Sequence, residues 1–187
     1  MKFSKAAMLF LLILGSIGLG LANHSYAETK TDWKPEPANL VGLDGVGIRC
    51  VVSSDRKFVH QMCKTLIKAA SEKAAAKGLK SASVGISWER NPDDAYTSAI
   101  AAAEISSPML LEFFIRGTDG SPVSGAIHIL ASVEYKAAIE EGADSSQPRK
   151  GRLVIWENAG TASGEANKLA SVLANHMAKK LDLLFGE

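Results

Sequence analysis

The stretch Met109–Lys136, MLLEFFIRGTDGSPVSGAIHILASVEYK, decides the fold. Two apolar runs flank Gly117-Thr118-Asp119-Gly120-Ser121, residues that tolerate positive φ, and the pattern predicts a β-hairpin. With Ile115 opposite Val123, Phe113 faces Gly125, Leu111 faces Ile127 and Met109 faces Ile129, so one face is apolar throughout. A slip of one residue would bring Glu112 and Arg116 to that face. The reverse face carries Leu110, Phe114 and Leu130 among Glu112, Arg116, His128 and Glu134.

Upstream, the β-branched run VGIRCVV, Val46 to Val52, suits a strand. Ser53, Ser54 and Asp55 offer N-cap oxygens to a helix whose stripe is Val59, Cys63, Leu66, Ile67 and Ala70, with Gly78 as its stop. Ser81 to Trp88 alternates, placing Ala82, Val84, Ile86 and Trp88 on one side of a strand with one wet face. Asn91-Pro92-Asp93-Asp94 starts a short helix running to about Ile105, closed by Ser107-Pro108.

Downstream, Ala137 to Gly151 reads as a mobile loop. Arg152 to Asn158, RLVIWEN, returns as a strand, and Gly160 to Gly164 turns the chain into a helix capped by Ser163 or Thr161. The stripe of that helix is Leu169, Leu173, Met177, Leu181 and Leu184. The resulting order is β-α-β-(α)-β-β-β-α. It predicts an α+β fold of two layers, a mainly antiparallel sheet with two long amphipathic helices on one face.

The N-terminus speaks to location. Lys2 and Lys5 precede the apolar stretch Ala6 to Leu21, and Ser25-Tyr26-Ala27 closes it with small residues where signal peptidase cuts. Residues 1–27 are thus expected to be a cleaved signal peptide, although a retained membrane anchor is the rival reading; glycines at 15, 18 and 20 favour cleavage. Glu28 to Asn39, with Pro35, Pro37 and Trp33, reads as a flexible linker, and 40–187 as a single domain. Of 21 basic residues, 19 remain after cleavage against 20 acidic ones, for a net charge of −1. That balance offers no field for nucleic acid or anionic lipid, and no permanent membrane anchor remains after cleavage. The absence of a usable Asn-x-Ser/Thr acceptor in the mature part mildly favours a bacterial periplasm.

The segment Gly151-Arg152-Leu153-Val154-Ile155-Trp156-Glu157, ending a meander and followed by an amphipathic helix, resembles small domains of bacterial envelope-assembly proteins. These are the curli-secretion, lipopolysaccharide-transport lipoprotein and TolB amino-terminal kinds. The resemblance covers about half of the mature chain and carries over no functional residue. Many such proteins have a lipid-attachment cysteine, which this chain lacks near Ala27. What the resemblance implies is a non-catalytic envelope role.

Few residues carry chemistry. Cys50 and Cys63 are the only cysteines, and parity in an exported chain favours a disulfide over two buried thiols. Both lie about 13 Å from the strand–helix turn, by the rises of a strand and of a helix, although helices usually sit about 10 Å from a sheet. His60, Cys63 and Cys50 could supply soft ligands to a metal, but His-x-x-Cys alone lacks the spacing of zinc sites, so neither metal nor cofactor is expected. Gly160-Thr161-Ala162-Ser163-Gly164 misses the Gly-x-Ser-x-Gly spacing, and Gly42, Gly45 and Gly47 have the wrong spacing for a dinucleotide loop. The Asp93–Asp94 pair is explained by its place at a helix start.

The feature that points to function is the outer sheet face. Leu110, Phe114, His128, Leu130 and either Val154 or Trp156 point away from the helices, so this face is the expected binding surface, with Trp156 a candidate anchor. Its partner, held on this face or along a strand edge, would be an envelope protein, a hydrophobic ligand or a second copy. Alternatively, the short helix Pro92 to Ile105, or the linker with Trp33, folds over it. A different class of reading is a periplasmic hydrolase or metal-dependent enzyme built on His60, His128 or His176.

Overall fold

The computed structural model describes residues 40–87, 93–137 and 149–186. The expected signal peptide and linker, Trp88, the Asn91-Pro92 helix start and most of the Ala137–Gly151 loop lie outside these residues. Eight elements follow the expected order: β1 (Gly45–Val52), α1 (Lys57–Ala76), β2 (Lys80–Ser87), α2 (Asp93–Ala102), β3 (Pro108–Thr118), β4 (Val123–Ala137), β5 (Arg149–Gly164) and α3 (Ala166–Phe185). The fold is α+β, with one five-stranded sheet in the order β2-β1-β3-β4-β5.

That sheet is mixed. β3, β4 and β5 form the antiparallel meander. β1 is wedged between β2 and β3 and runs parallel to both. Parallel neighbours need crossover connections, which are right-handed in nearly every case. The step from β1 to β2 moves one way along the sheet, and the step from β2 to β3 moves back past β1. With handedness kept, that reversal places α1 and α2 on opposite faces.

On one face α1 and α3 enclose the main core. Val46, Ile48, Cys50 and Val52 of β1 meet Leu111, Phe113, Ile115, Ile127 and Ile129, beneath Met62, Leu66, Leu173, Met177 and Leu181. The stripes expected for both helices are buried, with Ile67 partly so. Lys73 and Asp182 form an ion pair between α1 and α3. Cys50 and Cys63 are joined in a disulfide with their Cα atoms 5.9 Å apart, closer than the usual helix–sheet spacing because the first half of α1 lies tight against the sheet. Gly117 shows that tightness, since a Cβ there would fall 2.6 Å from Val59. Closing this short loop contributes on the order of 3 kcal/mol.

Several local expectations are corrected. In the hairpin, Ile115 pairs with Ile127, Phe113 with Ile129 and Leu111 with Ala131, a slide of four residues from the expected register. Because four is even, every side chain keeps its face. The slide sets Gly117 opposite Gly125 beneath the helix starts, where Phe58 and Val59 occupy the space of the side chain absent at Gly117. In β2 the alternation breaks at a bulge: Ile48 pairs with Ser83 but Arg49 with Gly85, whose φ is +84°. Ala82 and Val84 therefore pack with α2, whereas Ile86 joins the main core. Strand β5 extends to Gly164, so Thr161 and Ser163 are strand residues; the N-cap of α3 is Glu165 and that of α1 is Arg56, neither with a side-chain cap bond.

Candidate functional site

The outer sheet face divides into two parts. One is covered. Tyr96 and Ile100 of α2, with Ile105 beyond it, pack with Ala82 and Leu110 in a second apolar cluster. The landing is made by glycine: a Cβ on Gly47 would lie 2.2 Å from the Tyr96 ring, and one on Gly45 would lie 2.7 Å from Ile105. Leu110, expected as an exposed binding residue, is only 3% exposed beneath this helix.

A charged cluster marks the border of the covered part. Arg49 and Glu112 are register neighbours on β1 and β3, and both are buried. The Arg49 Nε donates to Glu112 Oε1 at 2.6 Å, and its Nη2 donates to the same oxygen. Arg152 Nη1 reaches to 3.8 Å from Glu112 Oε2. Such a pair stands because each charge satisfies the other; removal of either partner would take from the remaining buried charge its shortest ionic contact. The Tyr96 hydroxyl is pushed up to about 12, first by burial and then by the field of Glu134. Ser132, buried on the same face, has a hydroxyl with no hydrogen-bond partner among the described residues.

Beyond this border the face is open. Phe114 and His128 are direct cross-strand neighbours, with ring centroids 6.0 Å apart and planes tilted by 31°. Both are partly exposed, as is Leu130. Val154 is 50% exposed. Arg116, Glu157 and Thr161 surround these residues. At the hairpin end a shallow groove runs between Arg116, Thr118, Ser124, Ala126, Thr161 and Ser163, where the Ser124 and Ser163 hydroxyls lie 2.9 Å apart.

Trp156 is not part of this surface. A bulge in β5 pairs Ser132 with Val154 but Ala131 with Trp156, leaving Ile155 as the extra residue. Parity therefore changes within two residues: Val154 points outward, and Trp156 turns into the main core at 3% exposure. Of the five residues expected at the binding surface, the structure brings together Phe114, His128 and Leu130.

Cys50 and Cys63 are consumed by their disulfide. His60 on α1 and His176 on α3 belong to the helical layer, whereas His128 faces out from the opposite side of the sheet. Among the described residues no group of three His, Cys, Asp or Glu side chains converges as metal ligands would. No described helix is long and apolar enough to cross a membrane.

Sequence reasoning missed the Arg49–Glu112 pair and the role of Gly45 and Gly47. An arginine within VGIRCVV and a glutamate within LLEFF were the available signals, since a charge centred in a buried strand requires a partner.

No protein-family model matches the chain. No curated protein matches it either. Among solved structures, one described as a neuraminyllactose-binding hemagglutinin homolog from Helicobacter pylori is similar to this chain. The likeness has 10% sequence identity and a TM-score of 0.29, covering 80% of this chain and 89% of that one, and it bears on neither site nor activity.

Proposed function

We propose that this chain is an exported, non-catalytic binding or assembly module of the bacterial envelope that holds a protein or hydrophobic ligand on the open part of its outer sheet face. The observation that carries this reading is the exposure of Phe114, His128, Leu130 and Val154 on a face whose other part is sealed by α2. Apolar groups left beside such a seal cost solubility and are best explained by an occupant. Burial of a few hundred Å² there, at about 25 cal/mol per Å², supplies several kcal/mol before the costs of association. Export is supported by the signal-like N-terminus and by the disulfide, a bond that persists in oxidising compartments.

The test is substitution of Phe114→Ser together with Leu130→Ser. Both side chains are already partly hydrated, so the variant should keep its circular dichroism spectrum while losing most partner capture from envelope extract. Unchanged capture by a folded variant would remove this surface from consideration.

A further inference from the structure

We infer that β5 is a self-complementary edge through which two copies of the chain pair antiparallel, joining their sheets across a two-fold axis between Val154 and Ile155. Among the described residues β5 hydrogen-bonds to β4 alone, so its outer side presents a row of backbone donors and acceptors. It is a long strand without proline, Arg149–Gly164. At its middle Leu153 is 57% and Val154 50% exposed, beside Tyr135 at 50%. Such an edge is a template for another strand.

The bulge selects a second copy as the occupant and fixes its register. Before Ile155 the even-numbered residues Arg152 and Val154 face outward; after it the odd-numbered Glu157 and Ala159 do. An antiparallel pairing centred on the Val154–Ile155 bond matches these faces, because the parity change of each copy falls on the axis. It sets Arg152 against the partner's Glu157, Leu153 against the partner's Trp156, and Gly151 against the partner's Asn158. A one-residue shift would oppose outer-face and core-face residues on either side of the bulge. A two-residue shift toward the C-terminus keeps the faces but lays Val154 against the partner's Glu157.

Charge favours the same register. Arg152 is the register neighbour of Glu134 on β4, so the partner's Glu157 on its other side extends a row of alternating sign. Symmetry makes that contact twice. A bulge ordinarily protects an edge by twisting it away from other strands. Here it excludes registers that would bring unlike faces together, and so confines pairing to one geometry. This pairing can be tested apart from the outer-face reading, because it uses the backbone edge and, of the residues on that face, only Val154, and leaves Phe114 and Leu130 in place.

Sedimentation velocity of the mature chain over a concentration series tests it. The expected result is a reversible monomer–dimer equilibrium. Glu157→Arg, an exposed change, sets arginine against arginine twice and should raise the dimer dissociation constant about tenfold. Adding Arg152→Glu should restore it, a rescue that a purely structural role of Arg152 beside Glu112 would not produce. A chain that stays monomeric throughout, a dimer unmoved by Glu157→Arg, or a double variant no tighter than that single one overturns the inference. The Phe114→Ser, Leu130→Ser variant should dimerise as the parent does, so loss of partner capture and loss of pairing are read separately.

Discussion

The covered and open parts of the outer sheet face share strands β1 and β3 yet meet opposite fates. Beneath α2 the β1 residues are Gly45 and Gly47, and the helix descends until Tyr96 fills the space of a missing side chain. In the open part the rows hold Val51, Phe114, His128, Ala126 and Ala159, and no helix lies over them among the described residues. Apolar content does not separate the two, since Leu110 lies in one and Leu130 in the other. What separates them is room. A helix is seated where the sheet lacks Cβ atoms, and the Arg49–Glu112 pair closes the border where that room ends.

The comparison can be broken most forcefully at that border. Glu112→Ala leaves the buried Arg49 guanidinium without its main partner and should cost roughly 3–5 kcal/mol by chemical denaturation. Replacing both, as Arg49→Met with Glu112→Leu, should recover most of it. A cost below about 1 kcal/mol for the single change would mean that water already reaches the pair and that the border is not sealed.

A smaller effect is expected at the landing itself. Gly47→Val drives side-chain atoms into Tyr96 and should cost roughly 1–3 kcal/mol, with faster hydrogen exchange confined to Asp93–Ala102. Ala126→Val, the same kind of enlargement on the open part, should stay within about 0.5 kcal/mol. Equal effects at the two positions would remove the distinction between them.

The smallest effect depends on pH. Asp44 accepts backbone hydrogen bonds from Ser106 at 2.8 Å and Ser107 at 2.7 Å, tying the start of β1 to the turn after α2. These bonds, Ser106 first, hold its carboxyl below the ordinary value of 3.8. Its folded pKa is lowered, so its stabilisation is complete above the unfolded value and disappears as pH falls through the folded one. Asp44→Asn should therefore lower the melting temperature slightly at neutral pH and match the parent in strong acid. A gap that is the same at both pH values would show that the carboxylate charge is not involved.

Much of this architecture was legible in the residues, and what was not has definite causes. Helical stripes such as Leu169 to Leu184 and the apolar face of Met109 to Ile115 are periodic, and periodicity survives errors of register; the hairpin slid by four residues without moving a side chain to the wrong face. Bulges at Val84 and Ile155 interrupt the two-residue period; Gly85 marks the first, but no glycine stands beside Ile155 to mark the second. Trp156 went to the wrong side for that reason alone. The covering of Leu110 by the short helix was one of the two readings weighed for that face, and the choice follows from β1 lying between β2 and β3, a long-range pairing that no local window contains. Yet the glycines that make the landing were in plain view, and the spacing of a dinucleotide loop was the wrong pattern to test them against.

The position of β1 also bears on how the chain is made. It is the earliest strand in the described sequence, and it lies inside the sheet with a neighbour on each side. Neither neighbour exists when it leaves the ribosome: β2 begins at Lys80 and β3 at Pro108. Pairings that must wait for distant residues are slow to close. Until Ser87 has been synthesised both long margins of Gly45–Val52 stand unsatisfied, and until Ile115 one of them still does, an order of synthesis that delays completion of the sheet.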